Sequence, residues 1–269
     1  MGVTRHRVQH YYMSSRATLA MAECLERRKA ALTFRRLMLP SPSAVDFSSN
    51  DYLGFARDAA IHQAVAQESA MYTSAGGSTG SRLLSGNSEY AEALERRIGD
   101  FHGFPSALLF NSGFDANYGV LSSVPQPGDV VIFDELVHNS MREGIRASRA
   151  TSASFAHNNV SALRQQLQRH RSVSSTGSLF VAVESVYSMD GDIAPLRNIV
   201  AEAKAFHAEV IVDEAHGIGS QGDQGRGTVH QLGLTGDVFA TIYTFGKALG
   251  AHGAAVAGSE VLRDYLIVR

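Results

Sequence analysis

An α/β layered fold, with a mostly parallel central sheet flanked by helices, is predicted from two features of this 269-residue chain. From Ser106 onward short apolar runs alternate with helix-patterned stretches, and polar clusters stand at the carboxyl ends of four of those runs. The runs span residues 107–110, 129–133, 179–183, 210–212, 238–243 and 254–256. Continuous apolar runs of this length read as strands buried on both faces, which is how strands of a parallel sheet appear. Their alternation with helices is the α/β pattern.

Taken in order, the first 22 residues contain Arg5, Arg7 and Arg16 but no acid, a mild likeness to a mitochondrial transit segment. The plainer reading is an N-terminal extension. His6 occupies the position where a myristoylation signal needs Ser or Thr. A helix is expected from about residue 17 to residue 36, so residues 1–45 form an extension with a helix and residues 46–269 the large domain. Segment 74–87 carries too many glycines and hydroxyls for a core element and reads as a loop. Ala91, Leu94, Ile98 and Phe101 then repeat at three and four, with Asn87 or Ser88 as the cap. Pro195 opens a later helix whose stripe is Leu196, Ile199, Val200, Ala203 and Phe206.

Composition narrows the function. The hydrophobic content of 44% supports a large core, and a net charge of -2 offers no basic field for nucleic acid. A lone cysteine, Cys24, excludes an intramolecular disulfide and fits a reducing compartment. No apolar run approaches the roughly 20 residues of a membrane span. The cytoplasm is the expected location, with the mitochondrion as alternative.

The chemistry-bearing residues sit at the predicted strand ends. These are Asn111-Ser-Gly-Phe114, Glu184-Ser-Val-Tyr-Ser188, Asp213-Glu-Ala-His216 and Thr244-Phe-Gly-Lys247. In an open parallel sheet such ends share one edge, where ligands bind. Lys247 is one of three lysines; Lys29 and Lys204 lie in polar helical stretches. An amine delivered by a buried strand is desolvated, its charged form is disfavoured, and it can form a Schiff base. Ser112-Gly113-Phe114 opens a helix, so its backbone N–H groups could hold a phosphate. Asp213 would need a cationic partner, and a protonated pyridine nitrogen suits it.

Three other motifs lead elsewhere. Asp213-Glu-Ala-His216 spells a helicase motif, yet no phosphate loop accompanies it. Gly217-Ile-Gly219-Ser-Gln-Gly222 matches a dinucleotide fingerprint without the helix that must follow. A metal site at His207, Asp213 and His216 is disfavoured because a strand interrupts the spacing.

Together with Phe47–Gly54, Gly76–Gly86, the segments 108–117 and 155–158, and Ser188-Met-Asp-Gly191, these clusters resemble the pyridoxal-phosphate-dependent α-oxoamine synthases. Within that family the resemblance is to the branch joining alanine to pimeloyl-CoA to give 8-amino-7-oxononanoate for biotin. The resemblance implies the large domain of an aspartate-aminotransferase-like fold and a homodimer with its site at the subunit interface. It implies that Lys247 forms the internal aldimine and later takes the Cα proton, and that His138 stacks on the cofactor ring and contacts substrate. Gly113 and Phe114 would contact the phosphate through the backbone, with Ser112 in the same turn, and Thr244 through its hydroxyl. Ser188 and His216 would hydrogen-bond the cofactor, Asp213 would pair with the pyridinium, and Glu184 lies among the cofactor contacts. Asn50 and either Arg35 or Arg36 would contact substrate, and no metal is implied. Family members continue beyond this end into a smaller C-terminal domain, so that domain is expected to be missing. The open alternatives are glycine or serine with another acyl-CoA, a non-catalytic partner subunit of the same fold, and, more remotely, an oxidoreductase using residues 217–222.

Overall fold

The computed structural model describes residues 15–39, 41, 43–72, 77–173 and 177–269. They form two compact units, divided between residues 47 and 48.

In the first unit, α1 spans Arg16–Ala30, and Ser15 caps it by accepting from the Thr18 N–H at 3.1 Å. The helix stops six residues short of the expected residue 36. The cause is a left-handed turn at Leu32 (φ 56°), where the Thr33 N–H reaches back to the Arg28 carbonyl and the Leu32 N–H to that of Lys29. That pair of bonds is a Schellman closure, which satisfies the last carbonyls and ends the helix. Arg35 lies exposed in the irregular run that follows.

The second unit is built on a seven-stranded sheet of order β1-β7-β6-β5-β4-β2-β3. The strands are β1 Ser106–Phe110, β2 Val130–Asp134, β3 Thr151–Phe155, β4 Leu179–Glu184, β5 Ala208–Asp213, β6 Ala240–Thr244 and β7 Ala254–Gly258. The helices are α2 Ala59–Tyr72, α3 Glu89–His102, α4 Gly113–Ser123, α5 Asn139–Ala147, α6 Val160–Val173, α7 Leu196–Ala205, α8 Thr228–Gln231 and α9 Glu260–Ile267. Ser88 is the cap of α3, accepting from the Ala91 N–H. Pro195 stands one position earlier than expected, as the N-cap of α7. Residues 77–87 carry no helix or strand, and residues 74–76 of the predicted loop lie outside the described residues.

Side chains alternate across the sheet, as the strand period requires. Val181, Val183, Val210 and Val212 pack with Leu163, Leu167 and Ile199 of α6 and α7. Phe180, Ala182 and Ile211 face the other way, onto Ala116, Val120, Met141 and Ile145 of α4 and α5. Gly144 allows α5 to lie close on α4, because a Cβ there would stand 2.9 Å from the Leu121 Cβ.

Three expectations need correction. The run at 254–256 is not a parallel strand, since β7 runs antiparallel to both β1 and β6. Only residues 245–253 join β6 to β7, too few for the crossover a parallel neighbour requires. Second, β3 went unseen because an edge strand of Thr-Ser-Ala-Ser-Phe has little apolar content, and three of its five residues are exposed. Third, Glu184, Asp213 and Thr244 are the last residues of their strands rather than the first after them, for each still has a ladder partner.

His102 ends α3 buried, its Nδ1–H donating to the Arg226 carbonyl at 3.0 Å and its ring stacked on Tyr243 at 3.6 Å. Burial, with smaller contributions from His230 and Arg226, lowers its pKa from 6.5 to about 4. The unfolded chain takes up a proton where the folded chain refuses one, so this contribution to stability is present above pH 6.5 and is lost as pH falls toward 4. The loss is about 3 kcal/mol. The unfolding free-energy gap between wild type and His102→Phe should narrow by about that much over the window. A gap constant with pH rejects the assignment.

Candidate active site

The carboxyl ends of β1, β4, β5 and β6 lie along one edge of the sheet. Between β1 and α4, Ser112 caps the helix, its Oγ accepting from the Asp115 N–H at 3.1 Å and donating to Asp115 Oδ2 at 2.9 Å. The first-turn N–H groups of Gly113 and Phe114 have no partner within the helix, and the positive end of its dipole points the same way. A Cβ on Gly113 would meet Thr244 Cβ and Oγ1 at 3.2 Å, a tight contact that glycine avoids where the helix start lies against the end of β6. Two first-turn N–H groups and the Thr244 hydroxyl thus lie at one corner of the edge, a set of donors that could hold an anion. The Phe114 ring is half exposed and stacks on Tyr118.

Lys247 follows β6 and points its Nζ at His216 Nε2, 2.6 Å away. Burial lowers the amine's pKa, and the carboxylates of Asp213 and Glu184 partly oppose that shift. His216 is pushed down to about 4, first by burial and then by Lys247 and His138, so its ring is neutral. The hydrogen-bond directions then follow. Tyr52 donates its hydroxyl proton to Asn50 Oδ1 at 3.2 Å and accepts from His216 Nδ1–H at 2.6 Å, leaving His216 Nε2 to accept from Lys247. Burial raises the Tyr52 phenol, which keeps it protonated.

Asp213 is buried at the end of β5. Its Oδ2 accepts from Asn117 Nδ2 at 2.6 Å and its Oδ1 from the Ala215 N–H at 2.8 Å. Asn117, on the inward face of α4, also donates to Ser140 Oγ at 3.1 Å. His138 caps α5: its Nδ1 accepts from the Ser140 N–H at 3.2 Å, with Ser140 Oγ 2.8 Å from the same nitrogen. Glu184 Oε1 accepts the His138 backbone N–H at 2.6 Å. Burial and then the Asp213 charge push the Glu184 carboxyl up.

Ser188 is exposed in the turn after β4. That turn is tied down by Asp192, whose Oδ2 lies 2.7 Å from His157 Nε2, while His157 Nδ1 lies 2.9 Å from Asp134 at the end of β2. Arg35 belongs to the first unit. The glycines at 217 and 227 serve a purpose other than dinucleotide binding: both press against Glu214, which is fully buried, and a Cβ at either would collide with its carboxylate. Glu214 accepts from the Ser185 hydroxyl and the Val229 N–H, each at 2.6 Å, and burial raises its pKa to about 7.

Sequence reasoning assigned no role to Tyr52, Asn117 or Ser140. Tyr52 stood within a quoted motif, and Asn117 was the one amide among the apolar inward residues Ala116, Val120 and Leu121 of α4. Ser140 offered no signal.

This chain belongs to the aminotransferase class I and II family, whose model matches residues 42–268. Its relatives include the 8-amino-7-oxononanoate synthase of Emericella nidulans, 45% identical in an alignment of 262 residues that covers 92% of this chain and 63% of that protein. The 8-amino-7-oxononanoate synthase of Trichlorobacter lovleyi is 40% identical over 242 residues, 90% of this chain and 61% of that one. The chain thus spans less than two thirds of these curated relatives' length. Among solved structures, Sphingomonas wittichii serine palmitoyltransferase is 29% identical with a TM-score of 0.77, covering 94% of this chain and 65% of that one. A structure of SPT with a PLP internal aldimine is 34% identical with a TM-score of 0.75, over 82% of this chain and 54% of that one. These relatives accord with the resemblance to α-oxoamine synthases read from the motifs.

Proposed function

We propose that the chain carries the pyridoxal-phosphate-binding domain, residues 46–269, of an acyl-CoA:amino acid C-acyltransferase. The reaction joins Cα of L-alanine to the acyl carbon of pimeloyl-CoA, with CoA as the leaving thiol and the alanine carboxylate lost as CO2, giving 8-amino-7-oxononanoate. The observation that carries this reading is the desolvated Lys247 amine, 2.6 Å from a neutral His216, on the edge that also holds a buried carboxylate and a helix start.

The residues fit the cofactor. Gly113, Phe114 and Thr244 supply donors for a phosphate; Asp213 is a buried acid held by two N–H donors, with room in its role for a ring N–H; Asn117 Oδ1 is a buried acceptor without a partner. When bound, pyridoxal phosphate supplies an electron sink for the charge left at Cα. Lys247 would hold the cofactor through Nζ and, once released, take the Cα proton at that nitrogen. His216 would orient the phenolic oxygen, and its contact with Lys247 gives the amine's proton an acceptor at Nε2. His138 would cover the ring and donate to substrate. Ser188 and Glu184 would complete the cofactor surroundings, and Asn50 would contact substrate. The exposed side chains of Leu83 and Leu84 suit cover by a second copy of the chain, as a homodimer.

A second reading changes only the substrates: the likeness to serine palmitoyltransferase favours serine with a longer acyl-CoA. Both readings are tested by adding pyridoxal phosphate, recording the spectrum, reducing with borohydride and locating the label, then measuring CoA release over a panel of amino acids and acyl-CoAs. Label on Lys247 with alanine and pimeloyl-CoA fastest is the expected result. Absence of a new absorbance band sinks the cofactor assignment, and a serine preference transfers the assignment to the second reading.

A further inference from the structure

A polar line from buried Asp213 to exposed His138 runs through Asn117 and Ser140, and its donors fix a protonation pattern. The Ser140 backbone N–H can only donate, so His138 Nδ1 must accept, at 3.2 Å. The Ser140 hydroxyl, 2.8 Å from the same nitrogen, must then donate to it as well. That hydroxyl oxygen receives one proton of the Asn117 amide at 3.1 Å, while the amide's other proton goes to Asp213 Oδ2 at 2.6 Å. Asn117 cannot be turned over, because its oxygen would then face both the Asp213 carboxylate and the hydroxyl oxygen. Asn117, Ser140 and Asp213 are buried, so water does not offer substitutes for the bonds among them, while His138 at the end of the line is exposed and is held by Ser140 alone.

We propose that Asn117 and Ser140 are positioning residues that lock Asp213 and hold His138 as the tautomer protonated on Nε2. His138 thereby presents an N–H donor, and no ring acceptor, to whatever lies over the cofactor. Its ligand group is an acceptor oxygen: a carboxylate of the amino acid or the carbonyl of a thioester. A histidine in the opposite tautomer would turn a lone pair toward that oxygen and repel it. The roles toward cofactor and substrate rest on the proposed function; the tautomer does not.

The test therefore begins without cofactor. The full chain is labelled with 15N-histidine, the His138 ring is assigned by comparison with His138→Gln, and both ring nitrogens are read by long-range 1H–15N correlation in mildly alkaline buffer. A ring protonated on Nε2 in the wild type is expected, and Ser140→Ala, which keeps the backbone N–H but loses the hydroxyl bond, should keep that tautomer with its Nδ1 resonance shifted. Protonation on Nδ1 in the wild type, which needs no variant to fold, overturns the proposal, as does a Ser140→Ala ring identical with wild type. Pyridoxal phosphate is then titrated into wild type and Asn117→Ala. Loss of the amide's bond to a charged carboxylate should weaken binding roughly tenfold. Equal affinities overturn the positioning role of Asn117, whereas a wild type that binds no cofactor refutes the proposed function and leaves the tautomer result standing.

Discussion

Lys247→Ala is expected to abolish borohydride-fixed labelling and to cut CoA release by at least about 10³-fold, the scale for removing a proton-transfer group that is also the covalent anchor. The fold should survive, since the amine lost is one whose charge burial already disfavours. Cofactor should still bind, held by the cradle at Gly113, Phe114 and Thr244, and be released on dialysis. Lys247→Arg sharpens the result: it keeps a cation beside His216 but puts there a guanidinium that stays protonated and cannot act as the nucleophile. Mass spectrometry of the reduced protein checks both variants. Label at residue 247 of neither, with the rate lost in both, is the expected pattern; a Lys247→Ala rate within tenfold of wild type removes Lys247 from the chemistry.

Asp213→Asn should separate binding from reaction. The change keeps shape but removes the charge, and one of the two donors at this site, the Asn117 amide or the Ala215 N–H, then faces an NH2 group instead of an oxygen. Without the carboxylate, a bound pyridine nitrogen loses support for its proton worth about 1 to 3 pKa units, which corresponds to about 10- to 10³-fold in carbanion stabilisation. Exchange of the alanine Cα proton with deuterated solvent, followed by NMR, should fall by roughly that factor. Cofactor affinity should weaken far less. Unchanged exchange would falsify the electron-sink role of Asp213.

The α/β class was legible because six of the seven strands are written as apolar runs, and that writing follows from burial on both faces. Direction was not legible: Ala254–Gly258 is as apolar as its parallel neighbours, and only the shortness of the 245–253 connection hints that it turns back. The end of α1 was missed because Leu32 adopts a conformation that leucine rarely takes, so no glycine marked it. At the site, charged and nucleophilic residues announced themselves by standing at strand ends. Neutral partners did not: Asn117 and Tyr52 lie 96 and 164 residues from the groups they bond, and an amide or a phenol in isolation has many uses.

The sheet order also bears on how such a site comes into being. Ala254 stands opposite Phe110 on one side and Thr244 on the other, so one residue of β7 sets the ends of β1 and β6 level. As the edge strand, β1 has no other sheet neighbour, and its partner arrives 144 residues later (254 minus 110). Closing so long a loop adds little to the equilibrium cost, which grows only with the logarithm of length, but such distant pairing is slow. The start of α4 is therefore expected to align with the end of β6 only once β7 has paired, late in the folding of this unit.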